Sequence, residues 1–407
     1  MKIKLENFQN RLILFLSIIM TGGGHQFPRP VISIIIIFLF IIKLKNSSLR
    51  LGIFNKKYNK VYIFIFTIII TTLIHSIINE KFTLSFIIRF TNILIALIIV
   101  WLYPPFKTEN FISDLYFIGK IFVIHAIITF VLISINPNAF HRMLLDNDRN
   151  TFQLFHIFYY SQSPTSVIRN LLPIVRIPGL FWEPGILQIY LNIFLYISLF
   201  YIKTNKIMII LTLLAVVLTQ STMGYLIASI IISIFFYHSI NYISTNKKFI
   251  YIVFIVLLLI PVSIITSKNI NDKLFGENEK SFLSRKADTT AGIILTSKNP
   301  LIGIGFDNEN ILASRNQINF NSDVYCYLDE KRLNTNGIIM LFYSLGIPIS
   351  LFIITMLYRQ KIFYKHKNLF FVIIFFSLLS EPLSLLPFFF SLYLNGMVKY
   401  PPQRIVT

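Results

Sequence analysis

The chain has 407 residues, of which 55% are hydrophobic and only 13% charged. A soluble domain carries roughly 25% charged residues, so these side chains cannot cover a globular surface in water and a soluble enzyme is excluded. The formal charge of +20 would indicate nucleic acid in a soluble protein, and its meaning here depends on where the cations lie.

A membrane helix needs about 20 apolar residues to cross a hydrocarbon core of roughly 30 Å. About twelve such runs are predicted, near 9 to 22, 28 to 42, 61 to 78, 83 to 102, 117 to 135, 185 to 202, 207 to 220, 223 to 239, 249 to 266, 336 to 357, 368 to 380 and 383 to 397. The N-terminus resembles a secretory signal in layout. No small-residue cleavage site follows, only Thr21-Gly22-Gly23-Gly24, so an uncleaved first helix is expected. Residues 207 to 237 hold no Lys, Arg, Asp or Glu. As one helix they would be about 46 Å long, too long for one crossing, so a hairpin is expected with its turn at Thr219-Gln220-Ser221-Thr222-Met223-Gly224. Glu381-Pro382 breaks the last apolar stretch in the same way, because proline disfavours helix in the residue before it.

The expected fold is all-α, a polytopic integral membrane protein of about twelve transmembrane helices, with residues 1–407 forming a single membrane domain. Lys43, Lys45, Lys56, Lys57 and Lys60, and the basic stretch Arg359 to Lys367, fall in short connections that the positive-inside rule assigns to the cytoplasm. Both termini are then cytoplasmic. The two long stretches, 136–184 and 267–335, become large periplasmic loops. Nearly all of the charge surplus lies on the cytoplasmic side, where it is an orientation signal, and no nucleic acid is expected.

The densest chemical signal ends the first large loop: Arg176-Ile-Pro-Gly179-Leu-Phe181-Trp182-Glu183-Pro184. Read structurally, Pro184 opens a helix and Glu183 complements its dipole. Read functionally, an acid beside an arginine and an indole suits a sugar stacked on Trp182 and a hydroxyl deprotonated by Glu183. The second loop brings Arg285 and then Asn299-Pro300-Leu-Ile-Gly303-Ile-Gly305. A GxG of this kind is either a tight turn or a phosphate cradle. Arg89, Arg142, Arg169, Arg176, Arg285 and Arg315 lie outside or within the membrane, on a side where cations are disfavoured. Arg89 sits inside an apolar run, where an ionisable group either serves function or snorkels to the interface. Converging arginines suit a membrane-bound anion held by charge-assisted hydrogen bonds. Asp323, Asp329 and Glu330 read as a solvated loop, and the lone Cys326 as an idle thiol; neither metal nor cofactor is expected.

Taken together, four pieces resemble the O-antigen polymerase and O-antigen ligase superfamily of bacterial surface-polysaccharide membrane proteins. They are Arg176-x-x-Gly179-x-Phe181-x-Glu183-Pro184, Leu218-Thr219-Gln220-Ser221-Thr222 at a hairpin turn, Asn299-Pro300-Leu-Ile-Gly303-Ile-Gly305 after Arg285, and Asn336 ahead of Gly346. In ligases the residue before that asparagine is typically histidine; here it is Thr335. This departure, and Glu183-Pro184 where ligases tend to carry Asn-Pro, favour a polymerase. The resemblance implies a glycosyltransferase of the bacterial inner membrane that joins undecaprenyl-diphosphate-linked repeat units, with a ligase or a flippase as alternatives. Its partners would be the lipid-linked donor and acceptor, membrane lipid, a chain-length regulator and a flippase. Glu183, Arg176 and Arg285 would be catalytic. Arg89, Arg169, Trp182, Gly179, Pro184, Gly303, Gly305, Arg315 and Asn336 would bind substrate.

Overall fold

Apolar runs become helices because, without water, a backbone satisfies its polar groups most simply within its own segment. The computed structural model describes residues 2–23, 28–46, 55–78, 84–104, 107–144, 150–161, 175–202, 204–240, 267, 271, 279–318 and 335–399. In chain order the helices are α1 (Lys2–Ile19), α2 (Arg29–Asn46), α3 (Asn59–Ile78), α4 (Leu84–Leu102), α5 (Thr108–Ile135), α6 (Pro184–Phe200), α7 (Lys206–Thr219), α8 (Thr222–Ile240), α9 (Glu279–Lys298), α10 (Asn308–Asn316), α11 (Gly337–Arg359), α12 (Lys367–Ser380) and α13 (Pro387–Met397). Every predicted apolar run within the described residues forms a helix; the run 249 to 266 lies outside them. Among the described residues, the segments Lys56–His75, Thr108–Ile135, Thr222–Ser239 and Gly337–Arg359 are long and apolar enough to cross a membrane, by length and composition. Shorter apolar helices pack beside them, and the chain is a multi-pass membrane protein.

Helix α6 is the hub. Its residues are buried almost all round, as expected of a helix apolar on every face, and it packs against α5, α7, α8 and α12. Small residues let its neighbours approach: a Cβ on Gly119 of α5 would fall 2.4 Å from the Phe194 ring, and one on Gly224 of α8 would meet Gln188 at 3.0 Å. Asn192 donates to Gln188 Oε1 at 2.9 Å and to Gly224 O at 3.2 Å, pairing polar groups at the α6–α8 contact. The α7–α8 hairpin turns at Gln220, which adopts the left-handed conformation (φ 50°). Glu381 ends α12 in extended backbone, and Pro387 restarts the chain as α13.

The two long loops depart from a purely helical expectation. In the first, His141–Leu144, Asn150–Leu154 and Phe158–Ser161 form an antiparallel sheet in the order β1-β2-β3. Phe152 and Leu154 of β2 with Phe158 and Tyr160 of β3 supply one apolar face, which closes with Phe140 against Leu132 and Ile133 of α5. In the second, α9 packs against α11 and α10 packs against α9. A buried ion pair fixes α10 to α9: Arg315 Nη2 lies 2.6 Å from Asp288 Oδ1.

Helix α11 is broken at Gly346, whose φ of 78° and ψ of 167° are not helical. The break frees carbonyls that Asn299–Gly305 repairs. Ile304 N donates to Tyr343 O at 2.8 Å, Gly305 N to Ser344 O at 3.1 Å, and Ile347 N to Pro300 O at 2.7 Å. The approach is close enough that a Cβ on Gly346 would fall 2.3 Å from Leu301 O.

Among the described residues, the lysine-bearing ends of the apolar helices gather at one end of the bundle. There Lys43 binds Asn10 and donates to Glu6 O, Arg11 pairs with Asp114 at 2.9 Å, and Lys399 N reaches Lys57 O. The α1–α2 break, the α7–α8 turn, the α12–α13 break and the start of α6 all lie at the opposite end.

Candidate active site

At that opposite end is a cavity of about 190 Å³ whose wall includes Thr21, Arg29, Arg89, Trp182, Glu183, Arg285, Thr335, Ser380 and Glu381. Three guanidiniums and two carboxylates, drawn from five distant stretches of chain, share one small space. A medium of this kind, partly shielded from water, strengthens each charge–charge interaction.

Glu183 stands at the start of α6 in extended backbone (φ −134°, ψ 140°) with Pro184 as the first helical residue, yet its side chain makes no capping hydrogen bond. The carboxylate is on the cavity wall. Trp182 is held beside it, because its backbone N–H donates to Gly22 O at 2.7 Å. Its indole lies on Gly22, where a Cβ would be 2.2 Å from Nε1. The Thr21-Gly22-Gly23 break is therefore the floor on which Trp182 rests. Thr21 shares a hydrogen bond of 2.8 Å with Tyr190 of α6, tying α1 to the same helix that presents Glu183.

The cations arrive from three directions. Arg89 is half-buried on α4 and donates to Asn308 Oδ1 at 3.5 Å, reaching the first residue of α10. Arg285, exposed on α9, donates to Ser380 O at 3.2 Å. Arg29 opens α2 and is exposed. Glu381, 5% exposed, lines the same cavity at the end of α12, next to the Ser380 carbonyl that Arg285 binds.

Four of the residues singled out in the sequence, Arg89, Trp182, Glu183 and Arg285, meet on this wall. The others take different places. Arg176 is half-buried against the α7–α8 turn, its Nε donating to Thr219 O at 3.4 Å, while its backbone pairs with Ser161. Gly179 takes a φ of 64° in the turn before Phe181 and packs on Leu187. Pro184 is buried in the first turn of α6. Gly303 and Gly305, with φ of 70° and 85°, belong to the segment that repairs the break in α11. Asn336 caps α11, its Oδ1 accepting from Ile338 N at 3.0 Å and Ile339 N at 3.1 Å. Arg315 is in the ion pair with Asp288. Arg169, like Cys326, Asp323, Asp329 and Glu330, lies outside the described residues.

Arg29, Glu381 and Thr335 were not assigned to the site from sequence. For Arg29 the usable signal is a cation at the first residue of an otherwise apolar helix. For Glu381 it was a carboxylate between two membrane helices, costly unless it serves a site.

No curated protein matches the chain. The four motifs that carry the resemblance surround this cavity or brace the helices that form it. Residues 207–330 match the family model described as O-Antigen ligase, and this supports the placement of the chain in the O-antigen polymerase and ligase superfamily of surface-polysaccharide biosynthesis.

Proposed function

We propose that this protein is a surface-polysaccharide polymerase, an inner-membrane enzyme of about twelve crossings whose cavity opens on the periplasmic face. It joins undecaprenyl-diphosphate-linked repeat units. The observation that carries this reading is the meeting of Arg29, Arg89 and Arg285 with Glu183 and Trp182 in one cavity.

A glycosyl group leaving a lipid diphosphate needs its departing charge neutralised, and fixed guanidiniums do this without reorganisation. Glu183 takes the proton of the acceptor hydroxyl as the new C–O bond forms. The bond from the anomeric carbon to the diphosphate oxygen breaks at the same centre, and the electron pair leaves with the diphosphate. Trp182 stacks on a sugar face. Holding both lipid-linked substrates at one membrane-level cavity supplies the orientation that dilute reactants lack. Arg176 braces the turn beside this machinery, Asn336 caps α11 behind Thr335, and Gly179, Pro184, Gly303, Gly305 and the Arg315–Asp288 pair hold the elements around it.

The description of the matched family favours a second reading, a ligase that transfers finished glycan to a lipid A core. Thr335, on the cavity wall where ligases typically carry histidine, supports the polymerase instead, because a threonine hydroxyl does not serve as a base near neutral pH.

The test is a strain lacking the gene, complemented with Glu183→Gln or Arg285→Ala. Long-chain polysaccharide should disappear while single repeat units remain on the core; a bare core marks a ligase. An unchanged ladder from well-expressed variants overturns both readings.

A further inference from the structure

We propose that the β2–β3 hairpin is a membrane anchor, its tip buried in the acyl chains of the leaflet on the cavity side. The tip is the turn Phe155–Ile157, in which Phe155 is 77% and Ile157 48% exposed. Phe155 and His156 both take positive φ, 51° and 55°. In water such a turn goes to Asn and Gly, which adopt this backbone without strain. Bulky side chains here need an environment that rewards an exposed phenyl ring.

The position of the tip supplies that environment. Ile157 O accepts from His125 Nε2 at 3.1 Å, and the His125 ring stacks on Phe158 at 5.1 Å. His125 lies ten residues before the end of α5, about 15 Å down the helix axis. From Ile121 to Ile135 α5 carries no charge. That stretch is about 22 Å long, shorter than a hydrocarbon core of roughly 30 Å, so the bilayer accommodates all of it. Around His125 the helix shows an exposed apolar stripe of Ile124, Ile128, Val131 and Ile135, the face a lipid-exposed helix presents.

The backbone of the turn is prepared for a dry site, where an unpaired carbonyl is costly. Leu154 O accepts from Ile157 N at 3.2 Å. His156 O accepts from Tyr159 Oη at 2.5 Å, and Ile157 O is taken by His125. The His156 ring is bonded through Nδ1 to Gln153 Oε1 at 2.9 Å. Farther up the sheet, exposed Arg142 pairs in register with Phe152, about 10 Å above the tip at 3.3 Å per residue, where lipid phosphates lie. Beyond it, Ser161 bridges to Arg176, so the anchor fixes the height of the strand that leads to Glu183.

Phe155→Cys and, separately, Ile157→Cys, each in a Cys326→Ser background, are labelled in detergent with an environment-sensitive nitrobenzoxadiazole dye and reconstituted in phosphatidylcholine liposomes. Asn316→Cys on α10 is the aqueous reference. The expected result is blue-shifted emission from the tip and loss of most of its intensity when the lipid carries a nitroxide at acyl carbon 5, with neither change at position 316. Red-shifted, unquenched emission overturns the proposal. Blue-shifted emission that the nitroxide leaves untouched also overturns it, since the tip is then covered by protein, from a second copy or a partner. Hydroxyl-radical footprinting of the unaltered protein in the same liposomes reads the site without substitution: Phe155 and Ile157 should be protected, and their oxidation overturns the anchor.

Discussion

The carboxylate of Glu381 lies directly over Gly185: a Cβ on that glycine would fall 2.1 Å from Oε1. The second carboxylate of the cavity therefore occupies the first turn of α6, where the helix dipole favours negative charge, and Glu183, two residues earlier, is left to face the cavity. Gly185→Ala should push the Glu381 carboxylate aside and reduce polymer formation, with little change in the thermal midpoint in detergent because only the far end of that side chain has to move. Glu381→Ala in the same chain removes the clash, and activity should stay low. Full activity in the double variant would show that Glu381 contributes only packing.

The arginines should differ from ordinary surface cations in their response to conservative change. Removing one donor to a developing charge costs about 10²–10³-fold in rate, so Arg29→Ala and Arg89→Ala should each lower glycosyl transfer by about 10²-fold. The lysine variants should fall between, because an ammonium keeps the charge and loses the bidentate fork. Transfer measured with purified protein and lipid-linked repeat units checks this, and equal rates for the lysine variants and the parent would argue against bidentate binding.

The ion pair between Arg315 and Asp288 is buried on both sides. Breaking such a pair from one side costs about 3–5 kcal/mol, whereas replacing both partners by apolar residues is often nearly neutral. Arg315→Met should therefore lower the unfolding midpoint sharply, and Asp288→Leu added to it should recover most of the loss. If Arg315 instead binds substrate, the double variant will be stable and inactive.

Gly346→Ala meets both a backbone conformation unsuited to an L side chain and the Leu301 carbonyl. A loss of about 3 kcal/mol is expected, read as a lower thermal midpoint, and a neutral result would mean that the Asn299–Gly305 segment shifts to accept it.

His366 should give the stability a pH dependence. Burial, then the neighbouring His238 and Lys365, hold its pKa below the usual imidazole value. Above about pH 6.5 it is neutral in both folded and unfolded chains and has no effect. As pH falls through that value the unfolded chain takes up the proton first, so the folded state loses stability. His366→Gln should flatten the decline of the thermal midpoint between about pH 6.5 and 5, and an identical slope in both proteins would locate the titrating group elsewhere.

The helices were legible because a bilayer demands length and apolarity, and both are local properties of a run such as 117 to 135. Both hairpin breaks, at Gln220 and Glu381, followed from the same arithmetic. The sheet was not legible: short strands such as Phe158–Ser161 become apolar on one face only when α5 is placed beside them. The site was half legible. Glu183, Trp182 and Arg285 stand in or near motifs with a chemical pattern, and Arg89 stood out as a charge in an apolar run. Arg29 and Glu381 carry no motif and join the cavity only through packing, since the α1–α2 break must meet Trp182 and the end of α12 must meet Gly185. The Gly303-Ile-Gly305 pattern left a turn and a phosphate cradle open, because the broken backbone it repairs lies some forty residues away, at Gly346.

The placement of Trp182 on the cavity wall also gives the protein a built-in optical reporter. The chain has two tryptophans. Trp101 stacks on Phe40 at 5.7 Å and donates to Tyr62 Oη at 3.1 Å, near the lysine-rich end of the bundle. With Trp101→Phe in place, all indole emission arises beside Arg29, Arg89 and Arg285, and occupancy of the cavity becomes readable by fluorescence without a label.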